Sequence, residues 1–412
     1  MYRSPGAFSL WQGSCVELMS RPGAHLASFH EEVLLLALGP REGTNERWER
    51  LQDRREQLWD PATSQLLPLL ARSLLDAGID DPDLPRLERA MSTAWLGNQL
   101  LFHRLGGALD VLSMAGVRTM GLKGVPLVLR HYQDLSLRPM CDFDLLVEAE
   151  AAPDAVDALL GAGWALEWKL PPDFVARTYE VPCRAPDGTG ILDLHWRLVP
   201  WVGRTANARD PELWEAATPL AVGEHVTLGP APHDLLLHVI LHAYKSGWAE
   251  VPRWVADVVL VLRNCHETLD WDVFVDRVAR SPLALPVGDA LSSVAGTYDA
   301  AVPEPVIAAL AEFRATRREL RKHHQAQQQI GKGRHRFLGN APDLRTNWAR
   351  ASISFTRIGA LRSLGPFLRG WANVDRLWTL PFVFIARRFR RTRPRRRGDE
   401  ERAASLRHPA DR

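Results

Sequence analysis

Between Thr44 and Ala108, apolar residues recur at spacings of three and four. LLPLLARSLLDAG and LERAMSTAWLGNQLLFHRLGGALDVLSMAG each place leucines on one helical face, and the second run stops at Gly116. Upstream, residues 1–45 mix their patterns, and VLLLALG reads as a short buried element or a turn of helix. Beyond Gly116 the period shortens. VRTMGL reads as a short strand, KGVPLVLRHY as a turn entering a helix, CDFDLLVEA as a second strand and PDAVDALLGAGW as a helix closed by glycine. ALEWKL, VARTYEVPCRA and GILDLHWRLV read as further strands, with PDGTG (186–190) turning the last two into a hairpin. Residues 117–200 therefore predict an α+β unit with short connections. Helical spacing returns after Pro230, in HDLLLHVILHAYKSGW, PRWVADVVLVLRN, DWDVFVDRVARS and residues 304–324.

These shifts divide the chain into a mostly helical segment (1–94), an α+β core (95–229), a helical domain (230–324), a partly helical segment (325–385) and a basic tail (386–412) expected to be disordered. At 412 residues the chain is too long for one ordinary core. A net charge of +2 gives no global field that would argue for nucleic acid or membrane, although the end of the chain, LWTLPFVFIARRFRRTRPRRR, is strongly basic. That tail reads either as a membrane-surface or nucleic-acid contact, or as a final helix with a solvated basic end. Cys15, Cys141, Cys183 and Cys265 fit neither a zinc site nor a disulfide framework. With no apparent signal peptide and no apolar run long enough to span a bilayer, the expected compartment is the cytoplasm.

The candidate chemistry lies in RPMCDFDLLV, residues 138–147. Alternation in a strand puts Asp142 and Asp144 on one face. Two carboxylates so close repel unless a cation neutralises them, and aspartate oxygens suit Mg²⁺ held jointly with substrate phosphate. In ILDLHWRL, Asp193, His195 and Arg197 share a face. If this strand lies beside the first, three carboxylates converge and can hold two Mg²⁺ ions. The competing expectation is that Asp142 and Asp144 edge a half-solvated strand and that Asp193 pairs with Arg197 or Arg138. Upstream, GLKGVPL (121–127) joins a strand to a helix start, a place where phosphate is held. Gly124 would admit a triphosphate close to the backbone. Lys123 is either a phosphate contact or a solvated turn residue, and Arg138 either reaches phosphate or bridges to an aspartate. His195 is a base, a substrate-orienting group or a structural residue.

Taken in order, GLKG, HYQDLSLRPMCDFDLLV, GAGW and ILDLHWRL resemble the uncharacterised nucleotidyltransferase family of the DNA-polymerase-beta-like superfamily, over roughly residues 95–270. The resemblance implies a small mixed sheet flanked by helices, with Mg²⁺ and a nucleoside triphosphate such as ATP. It implies Asp142 and Asp144 as paired metal ligands, and Asp193 as a third carboxylate that helps hold the metal and deprotonates the acceptor. Lys123 and Gly124 fall in the phosphate turn, where the superfamily has Gly followed by Gly or Ser. Members occur in bacterial gene neighbourhoods, some for peptide natural products, so the implied acceptor is a small molecule, peptide or protein. A binding or regulatory module that keeps the fold without turnover is the alternative.

Two further features stay open. His238 and His242 share a helical face, without the glutamate of a zinc-protease motif. They read as interface histidines or metal ligands, and His242 with Lys245 could line a substrate cleft. Asp257, on an apolar helix face, is expected to be a satisfied partner of Arg253 or Lys245.

Overall fold

The computed structural model describes residues 28–170, 172–198, 211–246, 252–280, 284–298 and 300–313, with Ala315, Leu320 and His323. The expectations for the first 27 residues, for 325–385 and for the arginine-rich tail lie outside the described residues.

The chain divides into two units. In the second, residues 168–177 and 342–412, the described part contains one short helix, Phe174–Arg177. Everything below concerns the first, residues 1–167 and 178–341.

Its α-helices of six or more residues are α1 (Ser28–Leu38), α2 (Thr44–Arg50), α3 (Leu67–Asp76) and α4 (Leu84–Met114), then α5 (Ala152–Gly161) and α6 (Pro211–Ala216). They are followed by α7 (Pro232–Ser246), α8 (Arg253–Cys265), α9 (Trp271–Ala279), α10 (Ala284–Tyr298) and α11 (Glu304–Glu312). The strands are β1 (Thr119–Leu122), β2 (Phe143–Val147), β3 (Ala165–Leu166), β4 (Glu180–Arg184), β5 (Ile191–His195), β6 (Thr218–Val222) and β7 (His225–Gly229). The fold class is the α+β arrangement expected: one mixed seven-stranded sheet among helices, in the order β3-β4-β5-β2-β1-β7-β6.

Local chemistry accounts for the boundaries that matter to the site. α4 carries proline in its first turn, where the missing N–H is no loss. It ends where Gly116 adopts φ 70°, a left-handed conformation glycine takes without Cβ strain. The amide of Val117 then donates to the Leu112 carbonyl at 2.9 Å, turning the chain into β1. At the 186–190 hairpin the Ala185 amide donates to the Gly190 carbonyl at 2.8 Å, closing β4 onto β5. β1 is buried at all four positions and β2 at all five, so both read as apolar runs in which a single aspartate is conspicuous.

The helices before and after the sheet share one apolar cluster. Leu70 and Leu74 of α3 belong with Leu235 and Ile240 of α7, Val259 of α8, Phe274 of α9 and Leu291 of α10, and Leu127 and Tyr132 from the segment between β1 and β2 join them. The N-terminal and C-terminal helices thus bury their faces in a common core. The segment carrying the candidate phosphate turn is anchored to that core.

Candidate metal and nucleotide site

β2 is central, with antiparallel β1 on one side and parallel β5 on the other. The β2–β5 register sets Asp144 opposite Asp193 and Leu146 opposite His195. The β4–β5 register adds Glu180 opposite His195. Ligand atoms of Asp144, Asp193 and His195 all lie within 4.8 Å of one another, a grouping able to hold a metal ion.

The nitrogen Nε2 of His195 faces Asp144 Oδ1 at 3.0 Å and Glu180 Oε2 at 3.3 Å. Both partners accept, so Nε2 carries the proton. Its Nδ1 is buried without a hydrogen-bond partner. Lys123 donates from Nζ to the same Asp144 oxygen. Lys123 stands just past β1 at φ 45°, ψ −107°, a conformation costing an L-residue of order 1–3 kcal/mol. The lysine is therefore neither a solvated turn residue nor a free phosphate contact in this state: it is the internal counter-ion of Asp144.

The electrostatics separate the carboxylates. Burial pushes the Asp144 carboxyl up, but Lys123 and His195 more than reverse this and hold it well below the usual range. Asp193 has no such partner. Burial, then the charges of Asp144 and Glu180, raise it to about 6. Asp142 lies one residue before β2 with its side chain exposed, apart from the three-residue grouping. Partial desolvation and then the Asp144 charge raise its pKa, and its own charge acts in turn on Asp193. The convergence expected of Asp142, Asp144 and Asp193 thus takes the form of two aspartates and one histidine, with Asp142 at the rim.

These residues fit a divalent cation on two observations. Two carboxylates and an imidazole stand within reach of one another, and Asp193 is raised by burial and by the negative charges of Asp144 and Glu180, a crowding that a cation would relieve. The donor set is carboxylate oxygen with imidazole nitrogen.

The remaining predicted residues hold the site's frame. Arg138 is 5% exposed and donates through Nε and NH2 to both Asp257 oxygens on α8, at 2.8 and 2.9 Å. Of the two roles read from sequence, it takes the bridge to an aspartate, and that aspartate is Asp257. Asp257 is satisfied as expected, but by Arg138 and by Tyr132, whose hydroxyl donates to it at 2.8 Å. Arg253 instead donates to the Pro139 carbonyl at 2.6 Å. Gly124 serves close packing: a Cβ there would meet Met140 Sδ at 2.7 Å and Arg138 NH1 at 2.9 Å.

Sequence reasoning missed three residues. Asn98, fully buried on α4, donates to the carbonyls of Leu135 and Arg138 at 2.7 and 2.8 Å and accepts from the Met140 amide at 3.2 Å, fixing the loop that leads into β2. In sequence it is one polar residue in an amphipathic helix and gives no signal. Glu180 adds a further acid through strand register alone. In sequence Tyr132 is one aromatic residue of HYQDLSLRP and gives no signal for this role. The three described cysteines, Cys141, Cys183 and Cys265, are free. Among the described residues no helix is long and apolar enough to cross a membrane.

A family model described as "Uncharacterised nucleotidyltransferase" matches residues 56–299, more than half the chain. No curated protein matches it.

Proposed function

The chain belongs to the uncharacterised nucleotidyltransferase family, and on that premise we propose that it moves a nucleoside monophosphate from a nucleoside triphosphate to a hydroxyl of a small-molecule, peptide or protein acceptor. The observation that carries this reading is the pairing of Asp144 with Asp193 on adjacent parallel strands, with His195 in reach of both. Asp144, Asp193 and His195 would hold the cation, with Asp142 at the rim. Mg²⁺ is the ion implied, and a bound divalent cation supplies positive charge to the phosphates and to the attacking oxygen.

The acceptor oxygen forms a bond to the α-phosphorus, the bond from that phosphorus to the bridging oxygen breaks, and pyrophosphate departs with the electron pair. The hydroxyl proton goes to a base. Asp193 is the carboxylate we assign to receive it, its value of about 6 being that of the cation-free site. Asp144 is held ionised and keeps its charge throughout. In the cation-free site His195 links Asp144 and Glu180 by its shared N–H, and ligation through that nitrogen would require the proton to leave. Lys123, the counter-ion of Asp144, would have its charge available for phosphate were a cation to take its place.

Intact-mass measurement of candidate acceptors, incubated with each nucleoside triphosphate and Mg²⁺, tests the reading. The expected result is a gain of one nucleotide with stoichiometric pyrophosphate. A second reading, nucleotide binding without turnover, draws on the Lys123–Asp144 pair, which a cation must displace. It predicts binding with no mass gain on any acceptor and no pyrophosphate.

Cation binding should also depend on pH in a defined direction. Asp193 must be ionised to act as a ligand, so affinity is expected to be flat above about pH 7 and to fall roughly tenfold per unit well below 6, with proton release on binding. Because an imidazole is in the set, Mn²⁺ should bind more tightly than Mg²⁺. Titration calorimetry in buffers of different ionisation enthalpy reads both, and a pH-independent affinity between 5 and 7 would remove Asp193 from the ligand set.

A further inference from the structure

The strand order β4-β5-β2-β1 sets the site out as a row across the sheet. Lys123, one residue past β1, reaches Asp144 from that side. Asp144 on β2 stands opposite Asp193 on β5, and His195, two residues further along β5, stands opposite Glu180 on β4. Directly paired residues project from the same face of a sheet, as do alternate residues of one strand, so Asp144, Asp193, His195 and Glu180 share a face. Glu180 ends the row on the side away from Lys123 and Gly124.

Its surroundings set Glu180 apart from its neighbours. The side chain keeps 17% exposure, against 6% for Asp144 and 1% for His195, so a ligand can reach it from solvent. Among the described residues its polar partner is His195, whose Nε2 lies 3.3 Å from Oε2 and is shared with Asp144. No lysine or arginine among the described residues pairs with it. Lys123 is taken by Asp144, and Arg184, on the same face of β4, by Glu167 at 2.6 Å. Pro182, between the two and opposite Asp193, has no polar side chain. Glu180 also stands outside the grouping of Asp144, Asp193 and His195 that would hold a cation. A mostly covered carboxylate is ordinarily paired with a positive charge, and Glu180 lacks one.

We propose that Glu180 recognises the acceptor, and that the acceptor carries a cationic nitrogen, as an amine or guanidinium, beside its reacting hydroxyl. This rests on the nucleotidyl-transfer reading and narrows its acceptor. The side follows from the reaction: in-line displacement puts the attacking and leaving oxygens on opposite sides of the phosphorus. With the departing phosphates on the Lys123 side of the row, the acceptor enters from β4, where Glu180 stands. The class follows from charge, since a cationic N–H donor gives the unmatched carboxylate a charge-assisted hydrogen bond, and complementary charge is what selects among partners.

Binding of aminopropanediol, glycerol and glycerate to the full chain, loaded with Mg²⁺ and a non-hydrolysable ATP analogue, tests this by ligand-observed NMR. The three probes share a short diol skeleton and differ at one end in charge: positive, neutral and negative. The unaltered protein should prefer the amine to glycerol by about 10-fold, the worth of a hydrogen bond between charged groups at a partly open site. Glu180→Gln should bring the amine down to the level of glycerol, and Glu180→Lys should turn the preference toward glycerate. Each ratio is taken within one protein, so effects common to all probes, on the cation or on His195, cancel. A glutamate that only steadies His195 predicts equal losses for all three probes. Should Glu180→Lys fail to fold, Glu180→Gln decides alone. An amine preference unchanged in the variants, no preference in the unaltered protein, or no binding of any probe overturns the assignment while leaving the nucleotidyl-transfer reading intact. Failure of the unaltered protein to bind the ATP analogue overturns the reading itself, and the assignment with it.

Discussion

Asp144→Asn is expected to lower nucleotide transfer by about a thousand-fold or more, since losing one group that stabilises developing charge already costs ~10²–10³ and this change also removes a cation ligand. The same substitution should lower stability. Asp144 is buried, accepts from both Lys123 and His195, and is held well below its ordinary pKa. A carboxylate depressed in the folded state stabilises the fold above its unfolded pKa, and that contribution is lost as pH falls through the folded value. Asparagine mimics the protonated form at every pH. The loss should be about 2–3 kcal/mol, less than for an isolated buried pair, because Lys123 still feels Glu180 and Asp193. Asp142→Asn separates the two effects. Its side chain is exposed, so transfer should collapse while the urea midpoint stays put. Transfer retained at the parental rate in a folded Asp144→Asn protein would remove the carboxylate from the chemistry.

The parts of this site that were legible in the sequence are those in which one strand breaks its own apolar run. Asp144 and Asp193 stand out because a buried strand should not contain a carboxylate without a reason, and the period of two says which way each points. The partners were not legible, because strand register and long-range pairing decide them. Glu180 enters only because β4 sets it opposite His195. Arg138 had two roles open, and the choice was made by Asp257, 119 residues along the chain. Lys123 read as a phosphate contact or a solvated turn residue, because nothing local announces that its ammonium folds back onto Asp144.

The same division holds for the fold. Strongly periodic helices such as α4 and α8 were readable from spacing alone. α10 was not, since ALPVGDALSSVAGTY holds a proline, two glycines and two serines and shows little periodic contrast, yet packing buries Val287, Leu291 and Val294. The β6–β7 hairpin, with Gly223 at φ 60°, also went unread. VARTYEVPCRA, expected as one strand, yields a helical turn at Phe174–Arg177 and a strand only from Glu180, and ALEWKL keeps just the two strand residues Ala165–Leu166.

Asp257→Ala should be the most destabilising single change, by about 3–5 kcal/mol, read as a lowered urea midpoint. It strands a guanidinium that is 5% exposed and takes away the acceptor of the Tyr132 hydroxyl, so two buried donors are left bare at once. It should also weaken transfer in the fraction that remains folded. Arg138 lies on the loop that delivers Asp142 and β2, and Asp257 is what ties that loop to α8. Arg138→Lys should fare little better, since an ammonium cannot match the two-pronged contact with the carboxylate. Replacing the pair together, Arg138→Met with Asp257→Leu, distinguishes charge from position. Well-packed apolar residues often restore or exceed the stability of a buried ion pair, so the double variant should recover most of the lost midpoint. Tyr132→Phe added to it should recover more, by removing the remaining unpaired donor. Transfer should stay impaired even then, because an apolar contact lacks the directionality that fixes the loop in register with Asn98 and β2. Full activity in a stable double variant would show that the clamp holds the fold together without positioning the site.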